Sequence, residues 1–279
     1  MIKVLEQGAW INSVDSLNEK ELVSQTMLLT TRGEYSAAIC IKKNNFEITR
    51  AYYSIHRCPD MSKRTEADIP EFTGGSGLYE RIKAVKDLRD FDGDGKIKEL
   101  LLECLKGLIL AESYLLEELG YKSREEYETA WQVGKEGYCR PFENQMPPIE
   151  EWPNYIGAYE YYRKKNLYAK CKSYVILQKS EDEAVINGVY NDSFHQMRSE
   201  LSYNLTSRNI NAFDMVVIRA PHPPCYELSH TAAQSFIGKP IDSFSKREVG
   251  KIIGGSPGCF HLVDIVSDMA SAAIELPKT

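Results

Sequence analysis

The fold is decided by two alternating stretches, QMRSELSY at residues 196–203 and NINAFDMVVI at residues 209–218. Apolar and polar residues alternate along both, which is typical of half-buried strands, and a short polar connection separates them. A second pair lies in the first third of the chain, EYSAAICI at 34–41 and ITRAYYSIHR at 48–57. We therefore expect two antiparallel hairpins.

The two hairpins align with each other without gaps. Residues 34–41 and 48–57 fall on 196–203 and 210–219, so that Arg57 falls on Arg219. The same alignment would place Gly33 on His195. The stretch that begins at Cys104 also resembles the stretch that begins at Cys259, which would place Lys106 on His261. Two explanations are open, an internal duplication or the alternation that any two hairpins share.

Helical periodicity and glycine stops complete the expected fold, which is α+β with two related modules, each an antiparallel hairpin or sheet packed by helices. We predict helices at 78–88, 99–119, 225–237, 246–253 and 259–276. Tyrosine and proline are frequent between the modules, and so many aromatic residues favour an ordered connector over a free linker. The predicted divisions are 1–120, 121–166 and 167–279.

Composition limits the partners and the cellular location that we expect for the protein. The net charge of −6 over 279 residues disfavours a nucleic-acid partner. No apolar run reaches the ~18 residues that a membrane span needs, so we expect no membrane partner. Seven cysteines without an export signal favour free thiols in a reducing cytoplasm. The sequence leaves the oligomeric state open.

Cysteine and histidine cluster in two segments of the last third, RAPHPPC at 219–225 and GGSPGCFHL at 254–262. Each segment places a cysteine where a Pro/Gly loop meets a predicted helix start. Backbone N–H groups and the positive helix end should lower the pKa of such a thiol. Two thiols with nearby imidazoles can bind a soft metal or perform thiol chemistry.

We expect Cys225, Cys259 and His195 to be metal ligands, for zinc or iron. His261 could supply a fourth ligand. Side chains two residues apart at a helix start diverge unless the backbone is irregular, so His261 is expected instead to orient a ligand or to act as a general base beside the thiolate. Arg219 is expected to fork onto a substrate carboxylate, or else to form a structural ion pair. The alternative for the whole cluster is two buried thiols and a capping histidine. His222 and His230 are weaker candidates, since each stands alone in the predicted loop or helix.

Particular residues carry two resemblances. Phe194-His195-Gln196-Met197, Arg219-Ala220-Pro221 and Gly258-Cys259-x-His261-Leu262 resemble a bacterial family of unknown function over about residues 172–273. The order of hairpin, Cys225, helix, Gly238-Lys239 and Cys259 more distantly resembles NifU-type iron–sulfur scaffolds. That resemblance implies a scaffold-like fold with Cys225 and Cys259 as ligands. His195 stands near the place of the scaffold's first cysteine.

A second candidate site is DFDGDGKI at residues 90–97. Asp90, Asp92, Asp94 and Lys96 occupy positions one, three, five and seven of an EF-hand loop, and Gly95 occupies position six. Position twelve is Leu101 instead of a bidentate glutamate. The loop therefore predicts either a structural calcium site or an acidic turn that caps the next helix.

These features support two hypotheses of different classes. The first is a metal- or thiol-dependent cytoplasmic enzyme acting on a small metabolite, carboxylated if Arg219 contacts it. The second is a non-catalytic metal or iron–sulfur carrier that serves a metal-recipient protein. Exposed ligands would favour the carrier, whereas a buried pocket with an open coordination position would favour the enzyme.

Overall fold

A computed structural model describes residues 2–74, 85, 95–143, 163–228 and 232–276. Within these residues, nine strands form one antiparallel sheet. They are β1 (Lys3–Ser16), β2 (Glu21–Thr30), β3 (Glu34–Lys42), β4 (Ile48–Arg57), β5 (Thr65–Asp68), β6 (Asn166–Gln178), β7 (Glu183–Asp192), β8 (Gln196–Asn204) and β9 (Ile210–Arg219). The order across the sheet is β5-β4-β3-β2-β1-β6-β7-β8-β9. Both predicted hairpins are confirmed, as β3–β4 and β8–β9.

The described residues contain four α-helices, α1 (Lys96–Ala111), α2 (Arg124–Gly134), α3 (Lys246–Ile253) and α4 (Phe260–Glu275). The combination of sheet and helices confirms the mixed fold class. Both α3 and α4 begin within one residue of the prediction. Ser245 caps α3 by accepting the N–H of Glu248. The helix expected at 78–88 lies outside the described residues, apart from Val85.

Two predicted helices differ from the structure. The helix expected at 99–119 ends at Ala111 and continues as a 3-10 turn, Glu112–Tyr114. The helix expected at 225–237 is wrong, because the chain there forms two 3-10 segments, Pro223–Leu228 and Ala233–Phe236. Its end is tied to β9, since Gly238, in the left-handed region at φ 78°, donates its N–H to Ile210.

The chain divides into two compact units. The N-terminal unit comprises Ala9–Tyr127 and Glu160–Cys171, and the C-terminal unit comprises Met1–Gly8, Glu128–Tyr159 and Lys172–Thr279. In the N-terminal unit, α1 packs on β2 and β3. In the C-terminal unit, α4 packs on β7 and α3. Leu262, Val266, Met269 and Ala273 are buried along α4, as the sequence predicted.

The two hairpins share one pairing register, shifted by 162 positions from Glu34 to Gln196. Each hairpin has an irregularity after its first residue pair and another before its last. The pairs at these points are Glu34↔Arg57, Tyr35↔Ile55 and Ile41↔Ile48 in one hairpin, and Gln196↔Arg219, Met197↔Val217 and Tyr203↔Ile210 in the other. Non-glycine residues in the left-handed region, among those described, are Phe46 and Arg208, which differ by the same shift. The likeness therefore extends beyond strand alternation to the irregular positions.

Each unit buries a lysine of β6 against carboxylates of its own helix. In the C-terminal unit, Lys172 Nζ lies 2.7 Å from a carboxylate oxygen of Asp268 and 3.4 Å from one of Asp264. In the N-terminal unit, Lys170 pairs with the equally buried Glu103. Burial raises the pKa of Asp268. Buried charges of this kind are tolerated only when they are paired.

Candidate metal centre

The turn between β7 and β8 is organised by the buried carboxylate of Asp192. Its Oδ1 accepts the backbone N–H groups of Phe194, at 2.7 Å, and of His195. Its Oδ2 accepts the hydroxyl of Tyr190 at 3.1 Å. An aspartate at the start of a turn favours this arrangement, because its short side chain reaches the N–H groups two and three residues ahead.

Arg219 holds the same turn from the end of β9. Its guanidinium donates to the backbone carbonyls of Asp192 at 2.8 Å, Ser193 at 3.1 Å and His195 at 3.3 Å. The structure therefore places its hydrogen bonds on backbone oxygens rather than on a carboxylate. Arg219 positions the turn that carries Asp192 and His195.

His195 is oriented by Asp192. Its Nδ1 lies 3.1 Å and 3.3 Å from the two carboxylate oxygens. When Nδ1 is protonated it donates to this carboxylate, and an ion bound by both groups would take the place of that proton. Burial alone would raise the pKa of Asp192, but His195, by charge and hydrogen bond, and the charge of His261 hold that pKa well below its usual range.

His261 lies in the first turn of α4, and its imidazole packs against that of His195. The two imidazole centroids are 3.9 Å apart with planes inclined at 33°. One ligand atom each from Asp192, His195 and His261 lies within 4.8 Å of the others. A single ion with bonds of ~2.1 Å would hold such atoms about 3.4 Å apart in tetrahedral geometry, so small side-chain movements would bring these donors onto it. Two imidazoles and one carboxylate are a donor set that zinc and ferrous iron both accept, so these residues fit a metal ion.

Cys259 caps α4 beside this group. Its Sγ lies 3.9 Å from Nδ1 of His261, so the two side chains approach each other rather than diverge. The backbone N–H groups of His261 and Leu262 point at the sulfur, as expected, but burial outweighs them and raises the pKa of Cys259 to about 11. The prediction of a lowered thiol pKa is therefore wrong, because desolvation favours the neutral thiol.

Cys225 differs in its local structure but follows the same rule. It lies inside the 3-10 segment Pro223–Leu228 rather than at an α-helix start. Burial raises the pKa of its thiol, and the nearby Cys259 and Cys139 raise it further. The expected lowering is wrong here too.

Three groups near this centre were not predicted as site residues or were predicted only as weak candidates. Asp192 was missed, although an aspartate three residues before a histidine at a strand end is a recognisable turn signal. Cys139 was missed because it is distant in sequence, and burial followed by the charge of Cys259 raises its pKa to about 12. His222 was considered a weaker candidate. Burial, followed by the charges of His195 and His261, lowers its pKa to about 3.

Contacts from the segment around Arg140 hold these groups in place. The Arg140 N–H donates to the carbonyl of Gly258 at 2.9 Å. Its guanidinium donates to Glu227 at 2.9 Å, which links the segment to the turn that carries Cys225. The ring of Phe142 packs edge-on against His222 with centroids 5.5 Å apart.

The structure thus brings His195, His261 and Cys259 together around Asp192, with Cys225 near enough to interact electrostatically. Asp90, Asp92, Asp94 and His230 lie outside the described residues. Lys96 is the first residue of α1, which follows Gly95 at φ 72°. Calcium binding at this loop stays a prediction.

Comparison with known families covers the part of the chain that contains most of this centre. Residues 161–275 match the model of a family described as a protein of unknown function (DUF2889). This agrees with the predicted bacterial family of unknown function, whereas the NifU-type resemblance finds no support. No curated protein and no solved structure matches the chain. None of the described helices is both long and apolar enough to cross a membrane.

Proposed function

We propose that the C-terminal unit binds one divalent transition metal ion, zinc or ferrous iron, at Asp192, His195 and His261, and that the protein is a metal-dependent enzyme acting on a small metabolite. The observation that carries the proposal is the convergence of three donor atoms within 4.8 Å from the β7–β8 turn and the start of α4.

Each residue has a defined task in this proposal. Asp192 and His195 each supply one donor from the β7–β8 turn, and Arg219 holds that turn. His261 adds the second imidazole, and Cys259 offers a thiol on the same side. A bound ion of this kind supplies Lewis-acid polarisation or an activated water. Three protein donors leave a coordination position for substrate in either zinc or iron geometry.

Burial supports an enzyme over a carrier. Asp192, His195, Cys225 and Cys259 are all buried, whereas a carrier must present its ligands to a recipient protein. His261 is half-buried and gives the site an approach from solvent. The expectation of a carboxylated substrate rested on Arg219. Because Arg219 donates to backbone carbonyls instead, we do not include a carboxylate in the proposed substrate. Seven free thiols support a reducing, cytoplasmic location.

We also propose that the two units arose by internal duplication. Their hairpins share a register and both irregularities, and the left-handed residues Phe46 and Arg208 differ by the same shift. Two unrelated hairpins would have no reason to coincide at irregular positions. If one copy of a duplicated hairpin and helix carries the metal donors, the site is confined to that copy, here the C-terminal unit.

Metal analysis tests the proposed function. We expect protein purified anaerobically, without added metal, to contain roughly one zinc or iron ion per chain, and His261→Ala to lose it. His56→Ala, which removes a histidine of the N-terminal unit, is the matched control and should keep the ion. Equal metal content in wild type and His261→Ala, or no metal in the wild type, would contradict the proposal. Cys259→Ser separates metal dependence from thiol dependence.

A further inference from the structure

Aromatic rings surround the two imidazoles of the candidate metal centre. Tyr190 packs edge-on against His261 with centroids 5.1 Å apart. Phe194 lies 6.4 Å from His195, and Phe260 lies 6.3 Å from His261. Phe194 and Phe260 are half-buried, so each presents part of its ring to solvent near the imidazoles.

Tyr138 extends this aromatic surface into solvent. Its side chain is 49% exposed, and its ring centroid lies 5.4 Å from that of Phe260 at an angle of 39°. The hydrogen bond from Arg140 N–H to Gly258 fixes its segment beside the start of α4. The ammonium of Lys135 lies over the Tyr138 ring at 5.4 Å from the centroid. A large exposed ring held next to a buried polar centre is typical of a binding surface.

The charged groups nearby already have partners within the protein, including Lys135, whose ammonium lies over the rings of Trp131 and Tyr138, so they do not favour an anionic group as the main recognition element. The guanidinium of Arg219 is engaged by three backbone carbonyls. That of Arg140 is paired with Glu143 and Glu227. Asp192 contributes a buried negative charge, since its pKa is held low. Recognition through ring stacking therefore fits this surface better than a carboxylate clamp does.

We infer that the substrate of this centre carries an aromatic ring, which stacks on Tyr138 and Phe260 while a donor atom of the substrate reaches the ion held near His195 and His261. This inference rests on the proposed function and names the substrate class of the same site. Stacked and edge-to-face ring pairs add to the free energy of simple area burial, which gives such a subsite its selectivity.

Two hydroxamates that differ only in the ring test the inference. Acetohydroxamate and benzohydroxamate carry the same metal-binding group, so calorimetric titration of each into zinc-loaded protein isolates the contribution of the ring. We expect benzohydroxamate to bind about tenfold more tightly or better. Zinc content is measured separately on the same preparation.

A variant of Tyr138 assigns the preference to this surface. Tyr138→Leu keeps an apolar side chain at an exposed position and removes the ring. We expect it to lose most of the preference for benzohydroxamate, with unchanged acetohydroxamate affinity and zinc content. Tyr121→Leu, which removes a tyrosine of the N-terminal unit, is the control and should keep the preference.

The outcomes separate this inference from the proposed function. Equal affinities of the two hydroxamates, or a preference that persists in Tyr138→Leu, overturn the aromatic substrate while the metal site stands. Failure of both hydroxamates to bind zinc-loaded protein also overturns it. Failure to load zinc or iron overturns the proposed function, and the aromatic inference with it.

Discussion

Thr30 in the N-terminal unit and Asp192 in the C-terminal unit stabilise equivalent turns, the first with a hydroxyl and the second with a carboxylate. The Thr30 hydroxyl accepts the N–H of Gly33 at 2.9 Å, as the Asp192 carboxylate accepts that of His195. Arg57 donates to the carbonyls of Thr30 and Thr31, as Arg219 donates to those of Asp192 and Ser193. The frame of the turn is thus independent of whether its residues can bind a metal.

The side chains that could bind a metal are absent at the matching positions of the N-terminal turn. A Cβ at Gly33 would lie 2.3 Å from the ring of Tyr35, so that ring leaves no room for a side chain at the position that matches His195. Met197 occupies the position of Tyr35 in the other hairpin. A backbone that tolerates both arrangements shows that the imidazole at 195 is not needed to form the turn.

The helices match differently from the sequence alignment. Gly95 is the N-cap of α1 and Cys259 is the N-cap of α4, so Ile97 matches His261 when the helix starts are aligned. The predicted match of Cys104 with Cys259, and hence of Lys106 with His261, is wrong, because Cys104 lies in the middle of α1. There its thiol contacts Thr26 Oγ1 at 3.2 Å and the Ala37 carbonyl at 3.3 Å.

The largest effect is expected from giving the C-terminal turn the glycine of the N-terminal one. His195→Gly should abolish metal binding, because it removes one of three donors, yet the turn should persist through Asp192 and Arg219. Metal analysis and circular dichroism measure the two properties. Retained metal in a folded His195→Gly protein would show that the comparison of the turns does not explain the site.

The buried lysines should give the next largest effect. Lys172→Met leaves Asp264 and Asp268 buried with less compensation, and breaking a buried pair in this way costs about 3–5 kcal/mol of unfolding free energy. Lys170→Met should also be destabilising in the N-terminal unit, where the buried Glu103 would keep only its pair with Lys106. Urea unfolding measures both.

Lys251→Met is the matched control for the buried lysines. It breaks an exposed pair with Glu248 and should cost at most ~0.5 kcal/mol. A cost for Lys172→Met as small as that of the control would contradict the importance of the buried pair.

Variants of Arg219 and Arg57 should show whether support of the turn affects metal affinity only in the C-terminal unit. Arg219→Met loosens the turn that orients His195, and lost support for a ligand typically lowers metal affinity about 10–100-fold. Arg57→Met removes the equivalent hydrogen bonds in the N-terminal unit and should leave metal affinity unchanged. Competition with a chromophoric chelator gives both affinities. Equal losses in the two variants would argue against a site confined to the C-terminal unit.

The smallest expected effect is the change in unfolding free energy per pH unit that His222 causes. Its folded pKa of about 3 lies below its unfolded value of about 6.5, so the unfolded chain takes up the proton first. Stability should therefore be intact above pH 6.5 and fall below it toward pH 3, with a slope of up to ~1.4 kcal/mol per unit. Urea unfolding of metal-free protein measures the slope. His222→Gln should have a shallower slope, and an unchanged slope would remove His222 as the cause.

Local patterns predicted the hairpins and the helices α3 and α4 because strand alternation and helical periodicity act over a few residues. Strand-like composition also predicts strands within 22–58 and at 172–178, which correspond to β2–β4 and β6, whereas β1, β5 and β7 are not predicted from the sequence. In β7, Asn187 and Gly188 have low strand propensity, and the close approach of α4 explains the glycine, since a Cβ there would lie 2.3 Å from Met269 Sδ. The thiol pKa shifts and the place of Cys139 depend on burial, which only the folded structure provides.

The turn that carries Asp192 and His195 has a consequence for the order of assembly. Its hydrogen bonds come from protein groups, the Asp192 carboxylate and the Arg219 guanidinium, so two of the proposed ligands are placed as the hairpin closes. We therefore expect the chain to fold first and to acquire its ion afterwards. Choice among competing metals then takes place on a finished scaffold, where donor geometry and intracellular supply decide the occupant. The growth medium of the producing cell thus becomes an experimental variable.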